Sequence, residues 1–382
     1  ASTDSVGSGG IYDLYDSESG SYNYLVLSPN WDGGKGAVTY GDGSIGFSGI
    51  VSSNNSFVGD TAGDKVGSGG IQQLYGNGVY AYLIKSPLWH GSAGAVTWLD
   101  GAGNVFNDIE FNGTVNSGNS LVGVLANDQV GSGGYYQLDS GNYLVRSPNW
   151  GGGKGAVTFL NTSTGLTGEV SDLNSLVGNL NTDSIGSGGI YDVYDNQTGN
   201  YNYLVLSPNC SSESGFVGAV TFGSGATGVS GPVSSNNSFV GDMSGDKVGS
   251  GGIQSLYGNG GYAYLIKSPL WHSGAGAVTW LDGGGNVFSN VNFNGTVNIG
   301  NSLVGSVTGD QVGSGGYYQL DSGNYLVRSP NWGGGKGAVT FLETTSGVVG
   351  EVSDQNSLVG SVSTDAIGSG GISDLFDGET YS

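Results

Sequence analysis

Only one cysteine, Cys210, occurs in 382 residues, so the chain can close no internal disulfide and build no Cys-based zinc or iron–sulfur site. Its two histidines, His90 and His272, accompany no Ser or Cys nucleophile signature. That leaves poor material for acid–base or triad chemistry, and an enzyme is not expected. Basic residues number 9 against 31 acidic ones, a formal net charge of -22. Nucleic-acid backbones are gripped by Lys and Arg that displace counterions, so nucleic acid is excluded as a partner, and anionic lipid is disfavoured for the same reason. No apolar run approaches the roughly 20 residues that span a bilayer, so no membrane insertion is expected. What the chain does have is 78 glycines, 22 tyrosines and an apolar fraction of 36%. Glycine shows no three-residue period, which excludes collagen, and the apolar content is too high for a disordered tail.

Internal repetition organises the rest. The pentapeptide [VI]GSGG begins at Val6, Val66, Val130, Ile185, Val248, Val312 and Ile367. The unequal spacings define three units that occur twice, with Val130 to Leu160 recurring letter for letter as Val312 to Leu342. The repeats run 6–65, 66–129, 130–184, 185–247, 248–311 and 312–366, in one repeat domain over 1–382, and 367–382 is a partial seventh. Each repeat carries four short apolar segments. In the first they are Ile11 to Tyr15, Tyr24 to Leu27, Ala37 to Tyr40, and a stretch through Gly49 to Val51 that leads to Phe57 and Val58. Turn residues separate them, so each segment reads as a strand and no capped amphipathic helix is expected. Four strands per repeat is the anatomy of a propeller blade, and the expected fold is an all-β propeller of six four-stranded repeats with a surplus C-terminal strand segment. A β-solenoid is the rival, because stacked coils also give Gly- and Asn-rich periodicity.

The blade junction reads Asn55-Ser-Phe-Val-Gly59, then Asp64-Lys-Val-Gly67-Ser-Gly-Gly-Ile71, then Lys85-Ser-Pro87 and Gly94-Ala-Val-Thr-Trp98. This resembles the FG-GAP repeat of integrin-α-type propellers across all six units, with Val or Ile for the Phe of FG and Ser-Pro for Ala-Pro. The resemblance implies an extracellular, adhesion-type propeller. It also implies a calcium loop, of which Asp16, Glu18 and Asp195 are the remnant; the other units shorten it to Asp139-Ser-Gly141 or Tyr75-Gly-Asn-Gly78, too few oxygens for a hard cation. Calcium is therefore the one cofactor left open, and none is required.

Two recurring features complete the inventory. An Asp follows each NS[FL]VG by five residues, as at Asp64, Asp128 and Asp246, and reads as a turn residue that bonds backbone N–H groups. An SPxW motif supplies Trp31, Trp89, Trp150, Trp271 and Trp332, with Cys210 in the sixth place. These indoles either pack between blades or form a ring of sugar-stacking platforms. Function is accordingly expected to be that of a non-enzymatic extracellular structural or adhesive protein, with a glycan-binding lectin as the alternative. Partners are further copies of itself or a cell-surface or matrix glycan or protein. Thr3 to Asp16 matches Thr364 to Asp377 at 10 of 14 positions. One copy of this strand-forming segment is surplus, and an unpaired strand recruits another chain, so head-to-tail assembly is expected.

Overall fold

The period-two pattern of Tyr22–Ser28 sets the plan of each repeat: Asn23, Leu25 and Leu27 are buried and alternate with the less buried Tyr24 and Val26. In the computed structural model, which describes residues 4–106, 109–212, 215–288 and 291–375, this segment is the second strand of an antiparallel meander. Its neighbours are Gly10–Tyr15 and Ala37–Asp42, and the short strand Phe57–Val58 completes the repeat as the fourth. The other five repeats are built likewise, so the protein is all-β with six repeated sheets; three of the segments read from the sequence are strands, and of the fourth only Phe57–Val58 is, Gly49 to Val51 being irregular.

The first two strands of the second repeat turn back through Asn77 and Gly78 at φ 54° and 82°, the left-handed pair that a two-residue hairpin demands. Four-residue turns such as Trp31–Gly34 are tight but not helical, since Asp32 and Gly33 sit at φ 44° and 67°. In the fourth repeat Cys210 is buried in the tryptophan's place, and its carbonyl accepts from the Gly218 N–H at 2.9 Å, as the Trp31 carbonyl accepts from Gly36.

A fifth strand joins five of the six sheets, and it comes from the following repeat. Gly113–Thr114 pairs in parallel with Phe57–Val58, Gly168–Glu169 with Leu121–Val122, and Gly231–Pro232 with Leu176–Val177. Gly295–Thr296 and Gly350–Glu351 do the same for the fourth and fifth repeats, whereas the sixth sheet has four strands. This pattern corrects the solenoid alternative. Solenoid coils carry their long ladders between repeats, but here the long ladders run antiparallel within a repeat and the links between repeats are two residues long.

The chain divides into two compact units, Ala1–Ser184 with Gly225–Pro232, and Ile185–Ser224 with Val233–Ser382, which follow the two triplets of the sequence. Each has its own core. Leu25, Leu27, Phe57 and Leu99 are among the buried residues of the first, and Leu204, Leu206, Phe239 and Leu281 are their counterparts in the second.

Candidate functional site

The most elaborate recurring arrangement of side chains is the junction between successive repeats. In four repeats a tyrosine of the second strand reaches back to the preceding repeat: the Tyr82 hydroxyl accepts from the Tyr15 N–H at 2.6 Å, Tyr143 from Tyr75 at 3.2 Å, Tyr264 from Tyr194 at 2.6 Å and Tyr325 from Tyr257 at 3.0 Å. Asn23 and Asn202 donate to the carbonyls of Gly101 and Gly283, again across a junction, and the indole N–H groups of Trp98 and Trp280 donate to the carbonyls of Thr162 and Thr344 at 3.0 Å. Such buried polar bonds fix register, because a slipped neighbour would leave them unpaired.

Apolar packing follows the same rule. An aromatic residue of the third strand is covered by a glycine of the next repeat in the first five repeats. A β-carbon added to Gly103, Gly165, Gly228, Gly285 or Gly347 would lie 2.4 to 2.9 Å from Tyr40, Trp98, Phe159, Phe222 or Trp280 respectively. The first residue of the inter-repeat pair on the fourth strand (Phe57, Leu121, Leu176, Phe239 and Leu303) is completely or almost completely buried. Glycine abundance is thus largely a requirement of close backbone approach between repeats, beyond the needs of turns.

The recurring Asp belongs to this junction too. Asp64 Oδ2 accepts from the N–H groups of Asp60 and Thr61, and Oδ1 accepts from the His90 N–H in the next repeat at 2.9 Å. Asp128, Asp246 and Asp310 repeat the arrangement with Gly151, His272 and Gly333. As a turn residue it closes its own turn, away from the GSGG bend, and it also holds the tryptophan turn of the following repeat. Burial beneath that repeat pushes the Asp246 carboxyl up, against its hydrogen bonds, whereas the exposed Asp365 makes only turn bonds and these hold its carboxyl down.

Of the candidate sugar platforms, Trp89 and Trp271 are 8% and 4% exposed and belong to the cores, so their faces are closed to a glycan, which corrects that reading for these two. Trp150 and Trp332 are partly buried against the cores, and Trp31 is partly exposed.

Of the candidate calcium ligands, Asp16 Oδ1 accepts from the Glu18 N–H at 2.9 Å and Oδ2 from the Ser19 hydroxyl; Glu18 itself is exposed. Asp195 is bound in the same way by Gln197 and Thr198, and lines a cavity of about 260 Å³ with Asn196, Asn259, Tyr262 and Asp282. Both carboxylates therefore close their own loops. Sequence reasoning passed over one cluster. His272 Nε2 lies 2.9 Å from Asp242 Oδ1, and with Asp246 they bring three ligand atoms within 4.8 Å. The same residue types recur as Asp60, Asp64 and His90. Asp246 is committed to backbone N–H groups, and His272 and Asp242 satisfy each other at the surface.

The fold and the junction define an all-β tandem-repeat protein whose most elaborate polar contacts join one repeat to the next. The chain belongs to the family described as "Repeat of unknown function (DUF5650)", whose model matches residues 20–68, 76–132, 137–187, 197–250, 258–314 and 319–369. The matching family is this one, not the FG-GAP repeat, and each match ends in the [VI]GSGG start of the following repeat. No curated protein matches the chain in sequence. Among solved structures, a eukaryotic initiation factor is similar at 11% identity and a TM-score of 0.34, over 88% of this chain and 63% of that one. An exo-β-1,3-galactanase from Phanerochaete chrysosporium with galactose is similar at 13% identity and a TM-score of 0.25, over 87% and 74%. Likenesses at these scores bear on neither fold nor activity.

Alkaline pH tests the tyrosine contacts. Burial pushes the Tyr264 hydroxyl up to about 12 from 10.0, and those of Tyr82 and Tyr143 in the same direction. A phenol whose folded pKa is raised contributes stability that is complete below its unfolded value and lost as pH rises. Tyrosine ionisation followed at 295 nm should therefore lag behind that of free tyrosine above pH 10 and finish with unfolding near pH 12; full ionisation at pH 10 with the fold intact would contradict the buried contacts.

Proposed function

We propose that this protein is a non-enzymatic structural or adhesive repeat protein that works outside the cell and assembles head to tail through its terminal strands, its sheets acting as the blades of a propeller-like array. One observation carries the reading. The surplus segment sits on the sixth repeat as each repeat start sits on its predecessor: the Ile367 N–H donates to the Lys336 carbonyl at 3.0 Å and Gly337 bridges Ile367, as Gly218 bridges Val248. Asp374 then accepts from the Tyr318 hydroxyl and the Asp321 N–H. Residues 367–375 thus take the place of a repeat start on the sixth repeat. The same segment at the other end holds the paired first strand of the first repeat, with Leu14 buried, while Val6 and Ile11 are 61% and 68% exposed. A strand offered by one chain and completed by the next is the head-to-tail contact that makes a filament. The acidic, Lys-poor surface suits solubility and a diffuse affinity for cations, and no helix among the described residues is long and apolar enough to cross a membrane.

Deleting Ile367 to Ser382 removes this segment. The truncated chain should stay folded by circular dichroism and remain a single copy by light scattering, at concentrations where the intact chain associates. An intact chain that is monomeric at every concentration would contradict the proposal.

A further inference from the structure

We infer that a row of four tyrosines at the junction of the first and second repeats, and its copy at the junction of the fourth and fifth, are binding sites for neutral β-linked glycans. The inference uses neither the terminal strands nor the tryptophan turns, and it stands apart from the assembly reading.

Each row crosses the two strand hairpins that meet at its junction. In the first, the ring centroids of Tyr22 and Tyr15 are 5.1 Å apart, those of Tyr15 and Tyr80 5.5 Å and those of Tyr80 and Tyr75 4.7 Å. In the second, Tyr201, Tyr194, Tyr262 and Tyr257 repeat the order at 5.0, 5.8 and 4.7 Å. In the third and sixth repeats Asp139 and Asp321 replace the tyrosine that follows the buried leucine or valine of the first strand, so the full row is confined to these two junctions.

These rings are not gathered by burial. Tyr257, Tyr262 and Tyr201 are 53%, 42% and 39% exposed, in repeats that have a further repeat on either side in the chain. Tyr75 and Tyr22 are exposed likewise in the first copy, and Tyr15 and Tyr194 in the middle of each row are half-buried. An open cavity of about 540 Å³ lies along the first row, bounded by Tyr15, Tyr22, Tyr80 and Tyr82 and by the exposed Asp13 and Gln73. That is the size of a small-ligand site. Asp13 and Gln73 stand on the edge strands of their two sheets, and Asp192 and Ser255 hold the same positions in the second copy.

The chemistry selects the ligand. Neighbouring rings touch, the middle pair nearly edge to face at 88° and 79°, so no space remains between them in which a cation could be caged. The strongly acidic chain, with Asp13 or Asp192 at the site, repels phosphates and carboxylates. What fits is a neutral molecule with flat C–H faces for the exposed rings and hydroxyls for a carboxylate, an amide or hydroxyl, and phenols. A sugar whose ring substituents are equatorial, as in β-linked glucose, has both.

Isothermal titration calorimetry of the full chain with cellohexaose and with laminarihexaose tests this. At least one of the two should bind at two sites per chain. Tyr22→Ala and Tyr201→Ala should each leave one site and the double variant none, the altered site losing about tenfold or more in affinity. Tyr22→Phe and Tyr201→Phe keep the ring and should keep both sites. Circular dichroism monitors the fold, and Tyr75→Ala with Tyr257→Ala, at the exposed far end of each row, replaces the first pair if alanine there disturbs it. Absence of binding by both sugars, binding that is unaltered in the double variant, or binding of choline in place of the sugars would overturn the inference. Whether the chain associates with itself has no bearing on these outcomes.

Discussion

Gly258→Ala is expected to lower the stability of its unit by more than about 3 kcal/mol, beyond the usual range for an overpacked side chain. A β-carbon at Gly258 would lie 1.7 Å from the Gly323 carbonyl oxygen of the following repeat, and Gly76 meets Gly141 at the same distance. The obstacle is backbone on both sides, so no rotamer change relieves it and the two repeats must part. For a unit of this size the loss corresponds to roughly 6 to 12 °C in melting temperature. Gly78→Ala in the adjacent turn is the informative comparison. It has nothing within 4 Å, so its cost should be the smaller one of a left-handed backbone, φ 82°, imposed on alanine. A Gly78→Ala chain that melts below a Gly76→Ala chain would refute close inter-repeat approach as the reason for the glycine.

Trp271→Ala should have an effect of similar size, about 3 to 5 kcal/mol, the ordinary cost of emptying a core tryptophan site. The ring is 4% exposed and shares its cluster with Leu206, Phe239 and Leu281. Trp271→Phe should cost much less, because it keeps an apolar ring and removes an indole N–H that is buried with no hydrogen-bond acceptor. Differential scanning calorimetry of both variants separates packing from ligand binding: a Trp271→Ala chain that melts with the unmodified protein but loses affinity for a sugar would restore the platform reading.

Much of this architecture was legible before any coordinates. The four strands followed from short Val-, Leu- and Tyr-rich segments between turn residues, and the recurring Asp was recognisable as a turn former because it appears in every repeat. What stayed hidden depends on long-range partners. Gly113-Thr114 is too short to show a period, and nothing local says that it leaves its own repeat to join Phe57-Val58. Trp89 and Trp31 share one motif, yet one is core and the other partly exposed, because the difference is made by what packs over each. The contact between His272 and Asp242 joins residues 30 positions apart in different repeats, a spacing no local motif announces.

The most direct measurement is the mass of the chain by light scattering across a concentration series, beside a chain that lacks Ile367 to Ser382. Mass that rises with concentration for the first and stays at one copy for the second is the predicted result. A constant one-copy mass for both at every concentration would contradict the account.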